Sequence, residues 1–153
     1  MPSTPRTFRT RTQQRSTASP APHAPNSKIQ HHPPDLSGID WQGANLQEKD
    51  LSGRNLSSAN LESANLKDAF LHRINLSGAN LSKANLVRAN LFQANLSYAN
   101  LQEANLVCAD LSGADLRCAD FTGAYMGHGQ KLMVKLTGAS LAGAIMPDGS
   151  VHP

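Results

Sequence analysis

A large apolar residue returns at every fifth position along most of the chain. From Leu36 to Met126 in steps of five there are nineteen such positions; sixteen are Leu, and the others are Trp41, Phe121 and Met126. The residue before each is Asn or Asp at seventeen of the nineteen, with Phe70 and Tyr125 the exceptions. Two residues before, from 39 to 124, fourteen of eighteen positions are Ala, and Ile39, Lys49, Arg54 and Ile74 depart. Self-similarity at a fixed period marks a repeat architecture.

A period of five suits neither standard element. On an α-helix, at about 100° per residue, it walks around the cylinder. On a straight strand it alternates between the two faces. A constantly inward Leu therefore requires the chain to turn once per repeat. Ala and Leu lie two apart, so a short extended segment points both the same way. Ala leaves room where opposite walls approach. Asn or Asp, and the Ser and Gly after Leu, suit the turns, because their side chains satisfy local backbone groups and tolerate unusual dihedrals.

Runs such as Ala59-Asn60-Leu61-Glu62-Ser63-Ala64-Asn65-Leu66 resemble the A(D/N)LXX repeat of the pentapeptide-repeat family. The resemblance spans residues 35–126. It implies an all-β fold, a right-handed quadrilateral β-helix with four repeats to a coil and about five to six coils in this chain. The ending Met146-Pro147-Asp148-Gly149 is similar to the terminus of many such proteins, cyanobacterial ones especially. Four repeats to a coil stack residues twenty apart, and Ser37, Ser57, Ser77 and Ser97 then form one column. Stacked coils are expected about 4.8 Å apart. The same stacking makes Asp68 and Arg88, and Lys83 and Glu103, neighbours on adjacent coils.

Breaks in so regular a pattern are where function can hide. Lys49 and Arg54 take inward Ala positions near the first coil, and their long stems let the charges leave the end of the solenoid. Gly127-His128-Gly129-Gln130-Lys131 interrupts the series, with Lys131 where a Leu is due; Val134, Leu136, Ala139, Leu141, Ala144 and Met146 then resume it. The simplest expectation is a loop over 127–133 that replaces one wall, followed by a partial closing coil. On the wall of Leu51, Leu71, Leu91 and Leu111, Phe70 displaces the expected Asn, His72 and Arg73 follow, and Phe92 lies one coil along from His72. Outward aromatics beside Arg and His make Phe70, His72, Arg73 and Phe92 the candidate contact surface for a protein partner. Cys108 and Cys118 are half a coil apart and should face outward from opposite walls, which rules out a disulfide or a shared metal within the chain.

Residues 1–34 differ in kind. They hold Arg6, Arg9, Arg11, Arg15 and Lys28 and no acid, with Phe8 and Ile29 the larger apolar groups. Such a segment cannot bury enough surface to offset its ordering entropy, so a disordered basic tail is expected, with a repeat domain over 35–153. The remaining nine basic and eleven acidic residues leave that domain at a net charge of −2. Cytoplasmic location is the expectation, and a plastid is the alternative if the Arg- and Ser/Thr-rich tail is a transit peptide. No apolar run reaches the ~20 residues of a spanning helix. P-loop, dinucleotide and nucleophile-elbow motifs are missing, so an enzyme is not expected, nor a cofactor, metal or small-molecule substrate. The reading is a non-enzymatic structural or protein-binding module with an unidentified protein partner. Five tail charges without interleaved aromatics do not make nucleic acid the expected partner. The alternative is a DNA-mimicking regulator of DNA gyrase, as some family members are. The interspersed charges depart from that pattern.

Overall fold

A computed structural model describes residues 33–129 and 131–153. The disordered-tail expectation for 1–34 falls, apart from Pro33 and Pro34, outside those residues.

Each repeat is a short extended segment followed by a tight turn. In a typical one the Leu86 carbonyl accepts the Ala89 N–H at 3.0 Å, and the third residue of that turn, Arg88, has φ of 57°. A positive φ at this place is the type II arrangement. Glycine takes it without strain, but twelve other residues hold it too, among them Arg73, Tyr98, Cys108 and Cys118. Left-handed backbone costs an L-residue roughly 1–2 kcal/mol. What holds it here is the stacking: the Arg88 N–H donates to the Val107 carbonyl of the next coil at 3.0 Å, and the other corners repeat the bond.

From Asp40 to Asn105, bridges join each wall residue to the one twenty further on, parallel: Asp40 to Asn60, Asn65 to Asn85, Phe70 to Asn90. Four repeats therefore make one coil. The first wall carries Leu36, Leu56, Leu76, Leu96 and Leu116, and the fourth carries Leu51, Leu71, Leu91 and Leu111. The Leu and Phe centres from Leu56 to Phe121 are at most 1% exposed, as are the Ala and Ile side chains from Ala59 to Ala119, and among the described residues no polar one is buried with them. The interior is a dry column of two alternating sizes.

Asn and Asp act from the walls rather than from inside the turns. Their side chains face outward, and Oδ1 accepts the N–H two residues on, as from Asn75 to Ser77 at 3.1 Å. In the early coils Nδ2 also donates to the residue one coil back, Asn55 to Asp35 at 2.8 Å and Asn75 to Asn55 at 3.1 Å. The stack thus carries a polar ladder outside and a leucine ladder inside. Of the two expected ion pairs, Arg88 grips Asp68 with two bonds of 2.7 and 2.8 Å. That pairing holds the Asp68 carboxyl below the ordinary carboxylate range. Lys83 and Glu103 do lie on adjacent coils, with the Lys83 N–H on the Gln102 carbonyl at 2.8 Å. Their charges nevertheless form no ion pair.

The ends differ. Leu36, Ile39, Trp41 and Leu46 of the first coil are only partly buried, and Lys49 and Arg54 reach solvent there. Near the other end the interruption does not replace a wall; it adds to one. Asp110, Asp115 and Asp120 bridge to Lys135, Ser140 and Ile145, a step of twenty-five rather than twenty. The five extra residues leave at the corner after Met126 as a hairpin of β1 (Gly127–His128) and β2 (Lys131–Leu132). The chain rejoins where the Met133 N–H donates to the Met126 carbonyl at 2.9 Å. An insertion one repeat long leaves the period of five intact, which is why the sequence alone does not distinguish the two. Five coils result, plus a sixth rung on the first and second walls. There the chain turns back through Pro147–Gly149, and Val151 pairs antiparallel with Ile145.

Candidate functional site

The four residues singled out from the sequence share one wall and the corner that follows it. Phe70 sits on the fourth wall between Asp50 and Asn90. Its N–H donates to the Lys49 carbonyl and its carbonyl accepts the Leu51 N–H, both at 2.9 Å, so the backbone is an ordinary rung. Only the side chain is foreign. Phe70 is 50% exposed and Phe92 40%. Between them His72 Nδ1 lies 2.9 Å from the Ser52 hydroxyl, with donor and acceptor set by the imidazole tautomer. Arg73 takes φ of 58°, and its Nε donates to Gln93 Oε1 at 3.0 Å. Asp50, below Phe70, is held under the usual carboxylate range by the Ser52 hydroxyl and amide, with His72 and Arg54 adding to it.

Phe70 removes a wall acceptor. One coil on, Asn90 Oδ1 accepts the Phe92 N–H at 3.1 Å. With a phenyl group at 70, the His72 N–H has no equivalent acceptor. This wall therefore gives up part of the outer ladder and gains apolar surface flanked by a cation and an imidazole. Such a patch can bury rings against a partner and fix their placement with polar contacts at its edge. Among the described residues, no three His, Cys, Asp or Glu side chains lie close enough to hold a metal ion. Cys108 and Cys118 are exposed and unlinked.

A second feature was not singled out in the sequence. Between the hairpin and the closing turn lies a cleft of ≈ 290 Å³ lined by Ala124, Tyr125, Met126, Lys131, Leu132 and Pro147. Tyr125 is 63% and Leu132 58% exposed. The signal was present, since Tyr125 breaks the Asn/Asp rule as Phe70 does. The cleft itself depends on where the chain turns back.

The model for pentapeptide repeats matches eight copies, over residues 35–66, 55–93 and 94–128. This chain belongs to the pentapeptide-repeat family. Among solved structures it is similar to HetL, a pentapeptide repeat protein involved in heterocyst differentiation regulation from the cyanobacterium Nostoc sp. strain PCC 7120. The two share 36% identity over 77% of this chain and 62% of HetL, with a TM-score of 0.63. The chain thus spans less than two thirds of HetL. It is also similar to Rfr23 from the cyanobacterium Cyanothece 51142, at 32% identity over 69% of this chain and 82% of that one, with a TM-score of 0.64. Comparison with curated protein sequences gave no match. The repeat, the four-walled coil and these likenesses together fix the fold as the family's right-handed quadrilateral β-helix.

Proposed function

We propose that this pentapeptide-repeat protein is a non-enzymatic binding module that presents its fourth wall to a protein partner. The observation that carries the reading is Phe70, half-exposed where the family pattern calls for a ladder-forming Asn, with Phe92, His72 and Arg73 beside it. A rigid solenoid supplies such a surface preformed, so little ordering entropy is spent on binding. The interior supports the same reading, since it is apolar and, among the described residues, holds no buried titratable group.

A DNA-mimicking role toward gyrase has less behind it. A mimic needs a continuous acidic face, whereas Asp68 and Asp115 are neutralised by Arg88 and Arg117. A supercoiling assay separates the two, because inhibition of gyrase by the isolated protein would favour the mimic.

The direct test compares the unmodified protein with Phe70→Asn and Phe92→Ser as bait in its native extract. The reading expects a protein retained by the unmodified chain and lost with each variant, Phe70→Asn weakening binding by about 1–2 kcal/mol. Equal retention by all three would remove the fourth wall from consideration.

A further inference from the structure

The third wall ends differently from the second. On the second wall the chain lays a sixth rung at Ile145 and then pairs its own residues 150–152 along the outer edge. The His152 N–H donates to the Ala144 carbonyl at 2.8 Å, and the Met146 N–H to the Ser150 carbonyl at 2.7 Å. Instead of continuing onto the third wall, the chain turns back after Met146. The last rung there is Ala124-Tyr125-Met126. In the coil below, the Tyr125 N–H donates to the Ala104 carbonyl at 2.8 Å, and the Leu106 N–H donates to the Tyr125 carbonyl at 2.7 Å. Among the described residues, the matching groups of the last rung, the Ala124 carbonyl and the Met126 N–H, meet no main-chain partner. The cleft lies at this rung, with Pro147 at one corner and the hairpin at the other.

We propose that this edge takes an extended peptide, the carboxyl-terminal segment of a partner protein, as a sixth rung on the third wall. Strand addition to an open sheet edge is an established mode of peptide recognition, with main-chain bonds giving affinity and alternate side chains giving selectivity. The neighbouring wall shows that this end of the solenoid accepts an added strand. At ≈ 290 Å³ the cleft has room for an anchoring side chain and is small for a cofactor. The rungs beneath define the chemistry: a small residue over Ala124, a polar residue outward, and an aliphatic residue over Met126. The hairpin stands at the corner where a rung would run on into the fourth wall, so a peptide added parallel to the rungs beneath it ends there. Lys131 lines that corner and has no acidic partner within the described residues. A terminal carboxylate meets it.

The probe is acetyl-Glu-Ala-Asn-Leu-Val with a free carboxylate, the sequence of residues 103–107, titrated into the isotope-labelled full chain. Amide shifts confined to Ala124–Met126 and Lys131–Leu132 are expected. Replacing the probe's Asn by Pro removes the N–H that would bond the Ala124 carbonyl, and binding should vanish. Lys131→Ala, or an amidated probe, should weaken binding ~2–5-fold. The proposal is overturned if millimolar probe leaves residues 124–126 unmoved, or if the Pro probe binds equally. It is overturned too if the edge broadens with protein concentration alone, which would assign it to a second copy. Phe70→Asn leaves all of these readouts unchanged, so this edge and the fourth-wall patch stand or fall separately.

Discussion

Replacing Phe70 with Asn should leave the fold about as stable as before. The variant restores what the neighbouring walls already show. An Asn Oδ1 at 70 would accept the His72 N–H, as Asn90 Oδ1 accepts that of Phe92 at 3.1 Å. Its Nδ2 would donate to Asp50 Oδ1, as Asn60 does to Asp40 at 3.0 Å. Each is solvent-exposed and belongs in the lower half of the ~0.5–1.5 kcal/mol that such a bond contributes, so together about 1–2 kcal/mol are gained. Against this stands the half of the ring that is covered, since Phe70 is 50% exposed. Full burial of a Phe contributes ~1.5–3 kcal/mol, so losing half costs roughly 0.8–1.5 kcal/mol. The balance lies between about −0.5 and +1 kcal/mol, a change in melting temperature of no more than a few degrees. Thermal and urea unfolding of the full chain, followed by far-ultraviolet circular dichroism, measures it. A loss above about 1 kcal/mol would show that Phe70 is packed as a structural part of its coil, and the case for it as a contact residue would fall.

Other expectations follow from the same geometry. Leu86→Ala, in the middle of the column where Leu86 is fully covered, should cost about 2–5 kcal/mol; urea unfolding checks it, and a loss under ~1 kcal/mol would contradict a close-packed interior. Gly127→Ala should open the hairpin, because a Cβ there would strike the Lys131 carbonyl oxygen. Hydrogen exchange at the Met133 amide should speed up while that at the amides of Leu81 to Leu101 stays slow. Acid should weaken the fold. The Asp115 carboxyl is held low chiefly by the Arg117 side chain, and that of Asp110 by the Ser112 hydroxyl. A lowered native pKa gives stability that is present above the unfolded value near ~3.9 and is lost as pH falls through the native one. The midpoint of urea unfolding should therefore drop below about pH 4 and stay level above pH 5; a midpoint that rises on acidification would contradict the ladder.

Much of this architecture was legible before any coordinates. The Leu and Ala positions, two apart within a repeat of five, specify inward pairs, and every one from Leu56 to Ala119 is buried. The polar ladder was legible as chemistry but not as position: Asn and Asp serve the turns from the walls. Phe70 and Tyr125 stood out as breaks for the same reason, the loss of a ladder side chain. The interruption after Met126 was visible, but the change of step from twenty to twenty-five was not, since an insertion as long as the repeat keeps every later Leu and Ala in phase. The end of the third wall was equally hidden. It is set by the pairing of Val151 with Ile145, and nothing local to Tyr125 announces that no further rung will cover it.

That twenty-five-residue step is the part of the architecture most open to direct measurement. Across it Gly143 stacks on Cys118, and a Cβ at 143 would lie 3.1 Å from Cys118 Sγ. Cysteine can take the backbone conformation there, since Cys118 itself has φ of 58° and Gly143 has 76°. Gly143→Cys, oxidised in the folded state and mapped by mass spectrometry of its peptides, should link residue 143 to Cys118 and leave Cys108 unmodified. Gly138→Cys, which lies twenty residues from Cys118, should not cross-link. A linkage through residue 138 and none through 143 would mean that the hairpin replaces a wall, and the closing coil described here would be wrong.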